Sequence, residues 1–145
     1  MAATNVHAKL DELWGFISTL KADSPQEEWD RFALYLSPDI IMYQKGINEP
    51  ASHGREEVVA GFKNLLSFWA MVERRVLSQG VDAAGTTAFA NMNNRLAIFG
   101  EEIDFAEMEV VKFDEEGRVL EHRLYCDPAP IMAIIQKKTA EKASA

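Results

Sequence analysis

The sequence predicts an α+β domain in which N-terminal helices pack on one face of a curved antiparallel sheet. In the first half of the chain, apolar residues recur at the spacing of amphipathic helices. After Trp69 the apolar period changes toward two, which is typical of strands. Glycines punctuate that second half at the expected turns, Gly80, Gly85, Gly100 and Gly117. Helices followed by a run of strands indicate the α+β class.

Length and charge restrict the possible functions. The 145 residues predict a single domain over 1–145, with an ordered core from about 5 to 135 and a frayed C-terminal tail. Lys and Arg total 15 against 23 Asp and Glu, a net charge of −8, which disfavours nucleic acid and anionic membranes as partners. No apolar run approaches the roughly 20 residues of a membrane span, and the N-terminus lacks a secretory pattern. We expect a cytoplasmic protein.

Cofactor motifs do not occur in the sequence. Cys126 is the single cysteine, so no internal disulfide is possible, and a packed thiol is expected there. His7, His53 and His122 lack metal-ligand spacing, and there is no phosphate-binding glycine loop or dinucleotide fingerprint. We therefore expect neither a metal site nor a bound cofactor.

The helices are predicted from their apolar stripes and end signals. The first spans about 5–21, and the second begins at Ser24 and Pro25, with Ser24 as cap and Glu27 completing a capping box. A short strand over 40–44 and a loop through 53 follow. The third helix begins at Gly54 and runs toward Trp69.

The strands follow from the period-two pattern and the turn glycines. A final helical segment is predicted over 131–142. The expected strands are 71–80, 86–99, 102–113 and 118–127.

A polar row follows one face of these strands. With a two-residue turn at Gly100 and Glu101, Asp104 lies diagonal to Arg95, and these opposite charges can pair. The row comprises Asn91, Asn93, Arg95, Asp104, Tyr125 and Asp127. Such a row usually faces solvent in an antiparallel sheet. Because asparagines are poor strand formers, the alternative is that the row lines a pocket.

Asp127 is the first candidate for chemistry on the pocket interpretation. It ends the last predicted strand just before Pro128, where a rigid sheet can present a side chain to a ligand. Burial would raise the pKa of its carboxyl group and make it a general acid or base.

The element order resembles the NTF2-like (cystatin-like) cone fold. The supporting segments are 42–44 (Met-Tyr-Gln), 54–56 (Gly-Arg-Glu) and 117–127, and the resemblance covers about 6–135. Within that fold, the chain is most similar to SnoaL-like polyketide cyclases and limonene-epoxide hydrolases. The resemblance implies a curved antiparallel sheet wrapped around N-terminal helices, a deep apolar pocket, and polar strand rows that face inward.

The resemblance also implies roles for particular residues. Tyr43 matches the epoxide hydrolases' water-holding tyrosine, and Asp127 matches their terminal aspartate. Asn93 and Arg95 stand at their Arg-x-Asp pair and Lys45 at their water-binding asparagine, so the hydrolytic set is incomplete. SnoaL-like cyclases need only one buried aspartate, without metal or cofactor, and Asp127 meets that minimum.

These roles predict a cyclase or isomerase acting on a hydrophobic, polyketide-like metabolite. Asp127 would move the proton, and Tyr43 would donate a hydrogen bond to the substrate. Arg95 with Asn93 would stabilise developing negative charge, and Asp104 would position Arg95. The predicted substrate-binding residues are Trp69, Met71, Phe62, Leu66, Met108, Tyr125 and Asn91.

Two other functional classes remain open at this point. One is an epoxide hydrolase or epoxide-opening cyclase, and the other is a non-catalytic ligand-binding or protein-interaction module. If the polar rows face inward, an apolar row lies uncovered on the convex face, and we expect a homodimer through it. That row comprises Leu120, Leu124, Cys126, Met92 and Ile98.

Overall fold

The chain folds as predicted into helix, helix, strand, helix and then a run of strands. The computed structural model describes residues 3–44 and 50–144, so Lys45 lies outside the described residues. The elements are α1 (Ala3–Ile17), α2 (Gln26–Ala33), β1 (Leu36–Gln44), β2 (Ser52–His53), α3 (Gly54–Leu66), β3 (Trp69–Glu73), β4 (Val76–Val81), β5 (Thr87–Ile98), β6 (Glu101–Phe113), β7 (Val119–Cys126) and α4 (Ala129–Ser144). None of these helices is long and apolar enough to cross a membrane.

The strands form one curved sheet in the order β2-β1-β7-β6-β5-β3, and β4 also pairs with β5. The pairing is antiparallel, as predicted, except that β1 runs parallel to β7. The predicted strand 71–80 is interrupted at Arg74 and Arg75, which divides it into β3 and β4. Both strands pair with β5, so the interruption places the two arginines beside the middle of the sheet.

The β5–β6 hairpin turns one residue earlier than predicted. Phe99 and Gly100 form the two-residue turn, with φ angles of 51° and 80°. Positive φ at both positions is the property of a type I′ turn, which matches the twist of the flanking strands. Arg95 therefore lies directly opposite Asp104 rather than diagonal to it. The residues that share a face are unchanged by this correction.

One part of the helix prediction was wrong. Ser24 does not cap α2, since Pro25 precedes the helix and no side chain caps it. The Ser24 hydroxyl instead accepts a hydrogen bond from the backbone N–H of Lys21, at 2.8 Å. The turn before α2 uses the hydroxyl, so it is not available to the first helical turn.

The core formed by the described residues consists of two apolar clusters. In the first, the buried stripe of α1 (Val6, Leu10, Leu13 and Ile17) packs with α2 and the sheet. In the second, Ile134 of α4 covers Leu96, Ile98 and Phe105. Helices therefore cover one face of the sheet from both ends.

Candidate active site

The polar row predicted to line the pocket lies on the outer face of the sheet, so its expected orientation was wrong. Along β5, Met92, Asn94, Leu96 and Ile98 are buried, while the alternate residues are partly or fully exposed. The outer residues include Asn91, Asn93 and Arg95. Burying the apolar row contributes about 25 cal/mol per Å², whereas burying the polar row would desolvate charged groups. The apolar row therefore faces the helices.

The predicted pairing of Arg95 with Asp104 is present, but on this outer face. Arg95 Nη1 lies 3.2 Å from Asp104 Oδ1, and Arg75 Nη1 lies 3.0 Å from the same oxygen. The hydrogen bond from Arg95 lowers the pKa of Asp104, and the charges of both arginines add to the effect. Because the Asp104 side chain is 53% exposed, this cluster stays in contact with solvent. Asp104 positions Arg95 as predicted, but away from the cavity.

Asp127 is exposed and lies just beyond the end of β7. Its Oδ1 accepts a hydrogen bond from the backbone N–H of Ala129, at 3.0 Å. An aspartate that accepts such a bond at a helix start stabilises that helix. The structure thus places this carboxylate at the first turn of α4, outside the set of residues that line the cavity.

The other predicted residues divide between the two faces. Tyr43 pairs with Arg123, whose guanidinium carbon lies 4.1 Å from the centre of the tyrosine ring, on the outer face. Met108 and Tyr125 are also on that face, 39% and 45% exposed. Of the predicted wall, Trp69 and Phe62 do line the interior cavity. Leu66 and Met71 line a different groove, between α1, α3 and β3.

An interior cavity of about 290 Å³ lies between the two core clusters. Its wall is mostly apolar, with contributions from α1, α3, α4 and strands β1, β2, β3, β5, β6 and β7. The lining apolar residues include Trp14, Met42, Val58, Phe62, Phe68, Trp69, Met92, Phe105, Leu124, Ile131 and Ile135. Ser52 and Asn64 also line it, and ionisable polar groups enter this wall at Glu107, Glu109 and His122. A concave apolar site with a few polar groups is the usual form of a small-molecule site.

Glu109 is the centre of the buried polar cluster, and its side chain is fully buried. Trp14 Nε1 donates to both carboxylate oxygens at 3.1 Å, and Arg74 Nη2 lies 3.1 Å from Oε1. His122 Nε2 lies 3.2 Å from Oε2. On its other side, Arg74 pairs with the exposed Asp11 at 3.0 Å. Both oxygens of the carboxylate are thus held by donors.

These contacts keep Glu109 ionised. Burial by itself would raise the pKa of this carboxyl group, but the hydrogen bond from His122, the charge of the His122 ring in its protonated form, and the charge and hydrogen bond of Arg74 outweigh it. The net result is a lowered pKa. A buried charge with this many partners is a fixed electrostatic element of the cavity wall.

Glu107, two residues earlier on the same face of β6, has the opposite behaviour. Burial raises its pKa, and the negative charge of Glu109 adds to this. The amide of Asn94, whose Nδ2 donates to Glu107 Oε2 at 2.7 Å, and the charge of His122 act in the other direction without cancelling the rise. The wall therefore carries one carboxyl group whose pKa is raised beside one whose pKa is lowered.

Sequence reasoning missed Asn94, Glu107, Glu109 and His122 as site residues. A signal for them was present: Glu107 and Glu109 interrupt an otherwise apolar row on β6 that includes Phe105, Val111 and Phe113. His122 likewise stands between Leu120 and Leu124 on β7. A charged residue inside an apolar row, rather than a continuous polar row, marks the interior site.

The orientation of the sheet also changes the expectation about dimers. Met92 and Ile98, which were expected to lie uncovered, are buried by elements of the same chain. Leu124 and Cys126 line the cavity, where burial first, and then the charges of Glu107 and Asp127, raise the pKa of the thiol. A homodimer remains a prediction, but these four residues, on which it was based, do not form an uncovered apolar row.

Comparison with solved structures confirms the fold predicted from the sequence. A structure from Shewanella putrefaciens CN-32, assigned as a SnoaL-like polyketide cyclase, matches with a TM-score of 0.69 at 10% identity, over 92% of this chain and 86% of that one. An M. tuberculosis LEH-like epoxide hydrolase matches with a TM-score of 0.65 at 16% identity, over 86% and 79%. A steroid delta-isomerase from Pseudomonas aeruginosa matches with a TM-score of 0.62 at 16% identity, over 97% and 96%.

The TM-scores define the fold, an NTF2-like α+β cone, and the neighbours that share it include an epoxide hydrolase, polyketide cyclases and a steroid isomerase. No family model matches the sequence. No curated protein is significantly similar to it.

Proposed function

We propose that the protein is a cofactor-independent cyclase or isomerase that moves a proton on a hydrophobic, polyketide-like molecule inside the interior cavity. The apolar wall favours a hydrophobic substrate. The volume of about 290 Å³ is at the small end of the range for ligand sites, which favours a compact, mono- or bicyclic molecule.

Two buried carboxyl groups with different partners in one cavity wall are the observation that carries this proposal: Glu107 accepts from Asn94, whereas Glu109 is held by Trp14, Arg74 and His122, and their pKa values move in opposite directions. Two carboxyl groups whose environments separate their pKa values are the usual means of providing an acid and a fixed negative charge in one site. Glu107 is the member that can exchange a proton, since its pKa is raised by burial. Glu109, held by Trp14, Arg74 and His122, keeps its charge.

Glu107 alone can complete a cyclisation without loss or gain of atoms. As a carboxylate it takes a proton from the carbon next to a substrate carbonyl, and the resulting enolate carbon attacks a second carbonyl carbon. The new alkoxide oxygen then receives the proton from Glu107. In an isomerisation, the proton returns to a different carbon of the same enolate. Such acid and base catalysis contributes about 10²- to 10⁴-fold.

Epoxide opening is the second candidate, favoured by the presence of an acid and an imidazole in one cavity wall. Protonated Glu107 would give its proton to the epoxide oxygen as the ring C–O bond breaks, while the oxygen of a water molecule, or of a hydroxyl group of the substrate, bonds to the ring carbon and loses its proton to the imidazole of His122. In water labelled with oxygen-18, a hydrolase incorporates one label per product molecule. A cyclase or isomerase gives an unlabelled product with the mass of its substrate.

The test uses 5-nitrobenzisoxazole, a compact bicyclic probe for a base in an apolar site. The base removes the C3 proton, the N–O bond breaks, and 2-cyano-4-nitrophenolate is released and followed by its absorbance. We expect turnover that increases as Glu107 ionises, with a midpoint above the ordinary pKa of glutamate. Glu107→Gln should lower this turnover by about 100-fold or more.

Glu115→Gln is the matched control, because Glu115 is an exposed glutamate in the β6–β7 turn. It should retain the turnover of the unmodified protein. Asp127→Asn compares the cavity with the residue that the sequence favoured. Loss of turnover in Asp127→Asn, with Glu107→Gln unaffected, would contradict the assignment to Glu107.

A further inference from the structure

The two ring nitrogens of His122 have different environments. Nε2 lies 3.2 Å from Glu109 Oε2, whereas Nδ1 is buried and has no hydrogen-bond partner within residues 3–44 and 50–144. His122 also lines the interior cavity. A buried polar atom without a partner costs about 1–3 kcal/mol, and because its residue belongs to the cavity wall, a ligand in the cavity is the group that can supply the missing partner.

The contact with Glu109 determines which nitrogen exchanges a proton. Because Glu109 is ionised, its oxygens only accept hydrogen bonds, and Nε2 must carry the hydrogen. In neutral His122, Nδ1 therefore has the lone pair, and in the protonated ring Nδ1 has the additional hydrogen. The partnerless atom is thus the hydrogen-bond acceptor of the neutral ring.

The rest of the cluster holds the ring in this tautomer. Trp14 and Arg74 bind the carboxylate of Glu109 from other directions, which fixes the oxygen that His122 contacts. A carboxylate that orients an imidazole and leaves its other nitrogen toward a reacting group is a recurrent arrangement in catalysis.

We propose that His122 Nδ1 binds the hydroxyl group of the substrate, so that the site selects hydroxyl-bearing, phenol-like or enol-like bicyclic molecules over hydrocarbons of the same shape. The O–H donates to Nδ1, and the O–H proton passes to Nδ1 when the substrate oxygen acquires negative charge. Glu109 stabilises the imidazolium that results. This inference rests on the proposed function and adds the class of substrate and a second proton-transfer group.

The test measures the dissociation constants of 5-indanol and indane, which differ by one hydroxyl group, by NMR titration of the full chain. We compare the indane-to-indanol ratio of these constants between proteins. His122→Gln should lower the ratio by about three- to tenfold, the equivalent of one hydrogen bond. Indane should bind His122→Gln and the unmodified protein equally, which verifies that the cavity is intact.

The choice of variants separates the two nitrogens. A glutamine amide reaches the position of Nε2 and retains a donor to Glu109, but it has no atom at Nδ1. An asparagine amide reaches the position of Nδ1 and loses the contact with Glu109. His122→Asn should therefore preserve part of the hydroxyl preference that His122→Gln removes.

An unchanged ratio in His122→Gln would overturn the proposal and place the hydroxyl elsewhere, for instance at Glu107. The unmodified protein provides a readout that does not depend on a variant: the nitrogen-15 resonance of His122 Nδ1 should shift when 5-indanol binds and stay in place with indane. Equal shifts with both would also contradict the proposal. If turnover of 5-nitrobenzisoxazole did not depend on Glu107 but the hydroxyl preference were present, the proposed function would be contradicted. The hydroxyl-binding site at His122 would still stand.

Discussion

The inner and outer faces of the central strands carry similar charged groups in different environments. Inside, Glu109 pairs with Arg74, and its side chain is 0% exposed. Outside, Asp104 pairs with Arg95 and Arg75, and its side chain is 53% exposed. Hydrogen bonds and positive charges lower the pKa of both acids, but only at Glu109 do they overcome deep burial.

The difference shows that the surroundings of a charged group decide its chemical use. Water can replace the partners of the outer group, so losing one of them has little consequence. The inner group has no such replacement, since a buried charge without a partner is strongly unfavourable. Buried charges with fixed partners therefore occur on the inner face, where the cavity lies, whereas the displaced pKa of Asp104 belongs to a group that stays in contact with solvent.

The largest expected effect is on stability, at the inner pair. Glu109→Gln leaves the mostly buried Arg74 without its buried counter-charge, and the exposed Asp11 is then its remaining ion-pair partner among residues 3–44 and 50–144. We expect the free energy of unfolding to fall by about 3–5 kcal/mol, measured by urea denaturation. Asp104→Asn is the matched outer substitution and should cause a much smaller change.

A double variant distinguishes an unpaired charge from lost packing. Arg74→Gln with Glu109→Gln removes both charges and should be more stable than Glu109→Gln alone, because no uncompensated charge is then buried. A double variant that is less stable than Glu109→Gln would instead assign the effect to packing around Trp14 and Arg74.

The second effect is the pH dependence of stability at Glu107. Its folded-state pKa is raised above the unfolded value, so its contribution is fully present below the unfolded pKa and is lost as pH rises through the folded pKa. Glu107→Gln cannot ionise and avoids this loss. The variant should therefore gain stability relative to the unmodified protein as pH rises from acid toward neutral.

The groups that face Glu107 are Asn94, Glu109, His122 and Cys126. Urea denaturation at several pH values measures the effect, with Glu115→Gln as an exposed control that should show no such trend. If the stability gain of Glu107→Gln decreased toward neutral pH, Glu107 would ionise readily in the folded protein. That result would contradict its assignment as the acid.

Much of this fold was accessible from the sequence, because helical stripes and turn glycines are local signals. The residues sharing each strand face were also correct, since alternation does not depend on what lies above the sheet. The choice of face was not local: it depends on which row α1 and α4 cover. Asp127 looked favourable at a strand end, but the start of α4 uses its carboxylate.

The smallest expected effect is the response of the outer cluster to salt. Arg75, Arg95 and Asp104 are all at least one third exposed, so dissolved ions can screen them. The small stability change caused by Asp104→Asn should diminish further between low and high sodium chloride, while that of Glu109→Gln should persist, as measured by thermal unfolding. Equal salt sensitivity of the two variants would mean that water reaches Glu109, and the inner carboxylate would then lack the low-dielectric setting on which its role in the cavity wall depends.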